Sequence, residues 1–92
     1  MKSEIGILII THGSLADALL ETCRMITGEN ENILSISVQA GDNVDKTRDL
    51  IAGAIDRIRG PKGVILLVDM FGGTPSNISL SFLGQEDIEV VT

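Results

Sequence analysis

Ile5-Gly6-Ile7-Leu8-Ile9-Ile10-Thr11-His12-Gly13-Ser14 is the stretch on which the fold turns. Its first six residues form an unbroken apolar run, rich in β-branched side chains, which suits a strand covered on both faces. The run then gives way to a short polar turn. Ser14 and Asp17 match the S-x-x-D pattern of a helix start, and Gly28 stands where such a helix should stop. The spacing predicts a helix over 14–27 with Leu15, Leu19, Thr22 and Ile26 on one stripe. A buried strand passing directly into a capped helix is the first half of a βαβ unit.

The remainder repeats that alternation. Ile33-Leu34-Ser35-Ile36-Ser37-Val38 reads as a second strand, and Gly41-Asp42-Asn43 as a turn and helix cap. A helix to about residue 59 follows, with Leu50, Ile51, Ala54, Ile55 and Ile58 as its apolar stripe. Gly60-Pro61-Lys62-Gly63 ends it, and Val64-Ile65-Leu66-Leu67-Val68 is the third strand. After the Gly-rich segment 69–74, Pro75 fits the first position of a helix capped by Thr74 and running to about residue 83. Gly84 closes that helix, and Ile88-Glu89-Val90-Val91 reads as a fourth strand. The expected class is α/β: an open, mostly parallel sheet of four strands with helices on both faces.

Composition narrows the function. Ninety-two residues, 43% hydrophobic, make one domain with a core. A net charge of −6, scattered Lys and Arg, and no Trp or Tyr exclude a nucleic-acid binder. The lone Cys23 forms neither an internal disulfide nor a zinc site, and reads as a small hydrophobe on a helix. No metal or cofactor is called for. The longest apolar run is too short to cross a bilayer, and the start lacks a signal-peptide pattern, so the expectation is a cytoplasmic protein without membrane insertion.

In an open α/β sheet, ligands lie beyond the carboxyl ends of the strands where the strand order reverses. With the second strand on one side of the first and the third on the other, that point falls between strands one and three. The residues just past their ends are Thr11-His12-Gly13-Ser14 and Asp69-Met70-Phe71-Gly72-Gly73-Thr74. The chain's only histidine, an aspartate ending an apolar strand, paired glycines and two hydroxyl-bearing helix starts would thus share one crevice. Helix N-termini offer unpaired N–H groups and partial positive charge, which suits a phosphate and favours a neutral, nucleophilic imidazole beside it. An aspartate bonded to one ring nitrogen would fix the tautomer and leave the other nitrogen free to attack. Singly, each member has a plainer reading: Asp69 as a turn cap, Gly72-Gly73 as a tight loop, Thr74-Pro75 as an ordinary helix start.

At these residues the chain resembles the IIA domain of the mannose family of the bacterial sugar phosphotransferase system. The matching segments are Gly6-Ile7-Leu8-Ile9-Ile10-Thr11-His12-Gly13 and Val68-Asp69-Met70-Phe71-Gly72-Gly73-Thr74-Pro75-Ser76-Asn77, with 25–33 between them also similar. The resemblance implies adjacent first and third strands, hence strand order 2-1-3-4. It implies a phosphoryl carrier in which His12 accepts phosphate from the histidine phosphocarrier protein and passes it to a IIB component. Asp69 matches the aspartate that hydrogen-bonds the active histidine, and Thr74 the hydroxyl that meets the transferring phosphoryl. Thr11, Gly13, Ser14, Gly72 and Gly73 would line the phosphate site, with Phe71 serving partner contact or packing rather than chemistry. The family domain continues with a helix and a crossover strand that builds a dimer. Residues 1–92 are therefore expected to form a single domain lacking those two elements, with a homodimer left open.

Three other readings compete. A phosphohistidine regulatory module, in a dihydroxyacetone kinase relay or in transcription control, would use the same residues. A phosphohydrolase with Asp69 as nucleophile needs a second acid where Phe71 stands. A histidine phosphatase needs a phosphate-clamping arginine where Thr11 stands.

Overall fold

The computed structural model describes residues 4–29, 31–39, 41–69, 78, 85 and 87–91. Within them the apolar runs become strands: β1 (Gly6–His12), β2 (Ile33–Val38), β3 (Val64–Val68) and β4 (Ile88–Val91). Two helices join the first three, α1 (Leu15–Thr27) and α2 (Val44–Ile58). All strand pairings are parallel, in the order β2-β1-β3-β4. Because β2 and β3 flank β1 on opposite sides, right-handed crossovers place α1 and α2 on opposite faces of the sheet.

Side-chain alternation divides the strands between those faces. Leu8 and Ile10 of β1, Val64, Leu66 and Val68 of β3 and Ile88 of β4 form one buried cluster with Ile51, Ile55 and Ile58 of α2. Ile78, helical and buried, joins the same cluster. Ser35, level with Ile9, faces the other way and donates its hydroxyl to Asp17 of α1 at 2.7 Å. The rest of the helix expected between β3 and β4 lies outside the described residues.

Three local expectations need correction. The first strand continues through Thr11 and His12, level with Ser37 and Val38, although neither residue is apolar. Backbone pairing carries it onward, and Thr11 is buried there. The inward stripe of α1 is Ala16 and Leu20, with Cys23 half-buried, rather than Leu15, Leu19, Thr22 and Ile26. Thr11 Oγ1 accepts the Ala16 N–H at 2.6 Å. That bond draws Ala16 onto the sheet and sets the helix's rotation, leaving Ile26 79% exposed. On α2, Ile51, Ile55 and Ile58 are buried as expected, but Leu50 is 64% exposed and Thr47 takes an inward place instead. The Thr47 hydroxyl satisfies itself on the Asn43 carbonyl at 3.0 Å. The expected cap at this helix is present: Asn43 Oδ1 accepts the Lys46 N–H at 3.0 Å.

Gly6 is required by close approach. A Cβ there would run into the Ile58 carbonyl at the end of α2. Gly6→Ala should therefore destabilise by about 1–3 kcal/mol, the usual cost of overpacking a filled site. Urea denaturation followed by circular dichroism checks this; an unchanged midpoint would mean that α2 has room to retreat.

Candidate active site

His12 closes β1, and Asp69 follows the last residue of β3. The register sets Ile10 beside Val68, so these two residues emerge together at the carboxyl edge of adjacent strands. This is the reversal point of the sheet, with β1 crossing over toward one edge and β3 lying toward the other.

Asp69 holds His12 twice. Its Oδ2 accepts the His12 backbone N–H at 3.1 Å. Both carboxylate oxygens lie 3.3 Å from ring Nδ1. The carboxylate is acceptor-only when ionised, so Nδ1 carries the proton and Nε2 keeps its lone pair. Solvent reaches the imidazole more freely than the carboxylate, with side-chain exposures of 43% and 18%. Partial desolvation pushes the Asp69 carboxyl up, but the backbone bond from His12, the bond to its ring and the electrostatic attraction of its side chain outweigh it. The net pKa lies below the ordinary aspartate value.

The sign of that shift gives a pH prediction. A carboxylate whose folded pKa is depressed contributes stability above its unfolded pKa, near 3.9, and loses it as pH falls through the folded value. The stability advantage of the native chain over Asp69→Asn should shrink as the pH falls from about 5 to below about 3. Paired urea titrations across that range measure it. A gap that stays constant or widens on acidification would contradict the hold of His12 on the ionised carboxylate.

Beyond His12 the chain turns sharply. Gly13 has φ of +59°, in the left-handed region that side chains disfavour, and its N–H returns to the Val38 carbonyl at 3.0 Å. Ser14 stands at the N-cap position of α1, yet its side chain makes no capping bond. Thr11 does that work from the strand, and Asp17, expected to complete the capping pattern, bonds Ser35. Thr11→Val should cost about 1–2 kcal/mol by leaving the Ala16 N–H without its acceptor in a buried setting. Thermal denaturation checks it, with Ser14→Ala as the near-neutral comparison.

A depression of about 430 Å³ opens beside His12, walled by Gly13, Val38 and Gln39 and by Asp42 and Val44 at the start of α2. The first helix thus begins three residues after His12, and the second begins across the depression from it. Both helices therefore start at this edge, where a helix N-terminus carries partial positive charge. The part played by α2 was not anticipated, although Gly41-Asp42-Asn43 was legible as its cap. Of the expected site residues, His12, Asp69, Thr11, Gly13 and Ser14 are brought together; Gly72, Gly73 and Thr74, with Phe71, lie outside the described residues. Among the described residues no three His, Cys, Asp or Glu side chains are grouped to hold a metal, and no helix is long and apolar enough to cross a membrane.

Residues 6–92 match the family described as the phosphotransferase system fructose IIA component. The mannose-specific EIIAB component of Escherichia coli strain K12 is 36% identical over 88 residues, covering 95% of this chain and 27% of that protein. The fructose-specific EIIA component of Bacillus subtilis strain 168 is 33% identical over 82 residues, covering 89% of this chain and 56% of that protein. A IIA protein associated with the fucose utilization operon of Streptococcus pneumoniae superposes with a TM-score of 0.88 at 31% identity, covering 100% of this chain and 71% of that one. The chain thus spans roughly a quarter and just over half of the two sequence relatives. With the order β2-β1-β3-β4 and this match along nearly its whole length, the chain belongs to the mannose/fructose family of phosphotransferase system IIA components.

Proposed function

We propose that this chain is a phosphoryl carrier that takes phosphate on His12 Nε2 from the histidine phosphocarrier protein and yields it to a IIB component. The observation that carries this reading is the double hold of Asp69 on the sole histidine, through the backbone N–H and ring Nδ1. That hold leaves one ring nitrogen protonated and the other free.

The chemistry balances simply. The Nε2 lone pair attacks phosphorus in the donor's phosphohistidine. A new N–P bond forms, the donor's N–P bond breaks, and the donor imidazole leaves with that electron pair. Positive charge appears on the His12 ring as the bond forms, and the ionised Asp69 beside Nδ1–H stabilises it. Transfer to IIB is the same step with roles exchanged. No oxidant, metal or water takes part.

Ser14, whose hydroxyl is not used as a cap, and the hydroxyl of Thr74 are the side chains assigned to the phosphoryl oxygens, with Gly72 and Gly73 supplying loop amides. Thr11 and Gly13 act differently within the same site. Thr11 holds α1 in place, and Gly13 makes the turn that presents Ser14. The involvement of both Asp69 oxygens with His12 argues against Asp69 as an aspartyl nucleophile. Acting between a phosphocarrier and a IIB component, the protein would work on the cytoplasmic side of the membrane.

Incubation with phosphoenolpyruvate, enzyme I and the phosphocarrier tests the reading by intact mass. One acid-labile phosphoryl group per chain is expected, discharged on adding a mannose-family IIB component. Absence of that adduct while the phosphocarrier itself becomes fully labelled would overturn it.

A further inference from the structure

A larger concavity lies away from His12, along the outer edge of the sheet. It is a groove of about 720 Å³ between β2 and α2, floored by Leu34 and Ile36 and walled by Leu50 and Ala54. Three features of this groove belong together. First, β2 is an edge strand, paired among the described residues only with β1, and its sequence Ile33-Leu34-Ser35-Ile36-Ser37-Val38 contains no charge and no proline. Edge strands are ordinarily blunted by such residues because their outward N–H and C=O groups invite pairing.

Second, the cations along this groove lack partners. Arg24, Arg48, Arg59 and Lys62 are each paired with a carboxylate. Among the described residues, the Lys and Arg side chains in no ion pair are Lys46 and Arg57, and both line the groove. They stand eleven residues apart on α2, about 16 Å along one stripe of the helix, with Leu50 and Ala54 between them. Asp49 shares the lining, so the groove carries one net positive charge in a chain of net charge −6.

Third, Gly53 sits mid-helix on the groove wall with open space where a Cβ would stand. Nothing described in the fold requires glycine there, whereas an approaching backbone would use the gap.

We infer that the β2–α2 groove docks an extended, acid-flanked apolar segment of a partner protein, which adds to the β2 edge as a fifth strand. Its main chain pairs with the outward groups of β2, alternate apolar side chains enter between Leu34, Ile36 and Leu50, and its terminal carboxylates meet Lys46 and Arg57. The charges also decide against a second copy of this chain. Antiparallel pairing of two β2 edges would set Lys46 of one copy toward Arg57 of the other, a like-charge arrangement. The inference is independent of the phosphoryl site, and its test uses no phosphate donor.

The probe is a fluorescein-labelled heptapeptide, Glu-Thr-Val-Thr-Val-Thr-Glu, whose two glutamates and two valines share one face over roughly 20 Å. Fluorescence anisotropy at low salt should show saturable binding, weakened at least tenfold when lysines replace the glutamates. The variant pair Lys46→Glu/Arg57→Glu should lose the glutamate peptide and gain the lysine one. Leu50→Asp should weaken both, while Arg48→Glu, outside the groove, should change nothing. Hydrogen exchange should slow in residues 33–38 when the peptide is bound. Equal binding of the two peptides, or no saturable binding of either, overturns the inference without touching the His12 assignment. So does sedimentation showing self-association that Leu50→Asp abolishes, since the occupant would then be a second copy.

Discussion

His12→Ala is expected to abolish the acid-labile phosphoryl adduct while leaving the fold in place. The loss is total because the chain contains no other histidine to take over the nitrogen nucleophile's role. The fold should survive because the imidazole is 43% exposed and lies past the apolar core. The backbone bond from residue 12 to Asp69 Oδ2 persists in alanine. Stability should therefore stay within about 1 kcal/mol of the native chain, as for other exposed truncations. Intact mass after phosphocarrier treatment reads the adduct, and urea denaturation reads the fold. Equal labelling of variant and native chain would move the phosphoryl group to another residue and end the present assignment.

Asp69→Asn should slow transfer by roughly 10²- to 10⁴-fold, the range associated with a misplaced acid–base partner. Asp69 acts through His12, so it is a positioning residue. The carboxylate meets two donors, the His12 N–H and Nδ1–H, with acceptor oxygens. An asparagine has one oxygen and one NH₂ for those two places. If its oxygen takes the backbone N–H, its NH₂ faces Nδ1 and drives the ring proton to Nε2, which removes the attacking lone pair. If its oxygen takes Nδ1–H, the NH₂ confronts the backbone donor and the strand end must shift. Either way the charge that supports the developing imidazolium is gone. Rapid-quench transfer rates measure the effect. Nitrogen-15 chemical shifts of the His12 ring distinguish a changed tautomer from a displaced strand. Native rates with an unchanged tautomer would remove Asp69 from the mechanism.

The strands were legible because their apolar runs are short and bounded by Gly, Pro, Asn and Asp, so hydrophobicity alone marks where backbone must be covered. The pairing of His12 with Asp69 was legible for a topological reason. Each stands at the carboxyl end of a buried run, and parallel strands bring such ends to one edge. The rotation of α1 was not legible. Leu15, Leu19 and Ile26 are the more apolar choice, but the hydrogen bond from Ala16 to Thr11 turns them outward. Neither the outward Leu50 nor the inward Thr47 follows from period alone, since both lie within reach of the same stripe. The continuation of β1 through Thr11 and His12 likewise depends on a neighbour, because β2 supplies the pairing that polar residues do not announce.

Read alone, the chain determined the order of its elements and the residues capable of chemistry, because hydrophobic period and special residues act within a few positions of themselves. Tertiary structure alone decided which oxygen caps α1, which face of each helix meets the sheet, and that α2 as well as α1 borders the imidazole. Those choices arise between segments distant in sequence, where a single hydrogen bond such as Thr11 to Ala16, or a single close approach such as Gly6 to Ile58, outweighs the local preference for burying the larger side chain.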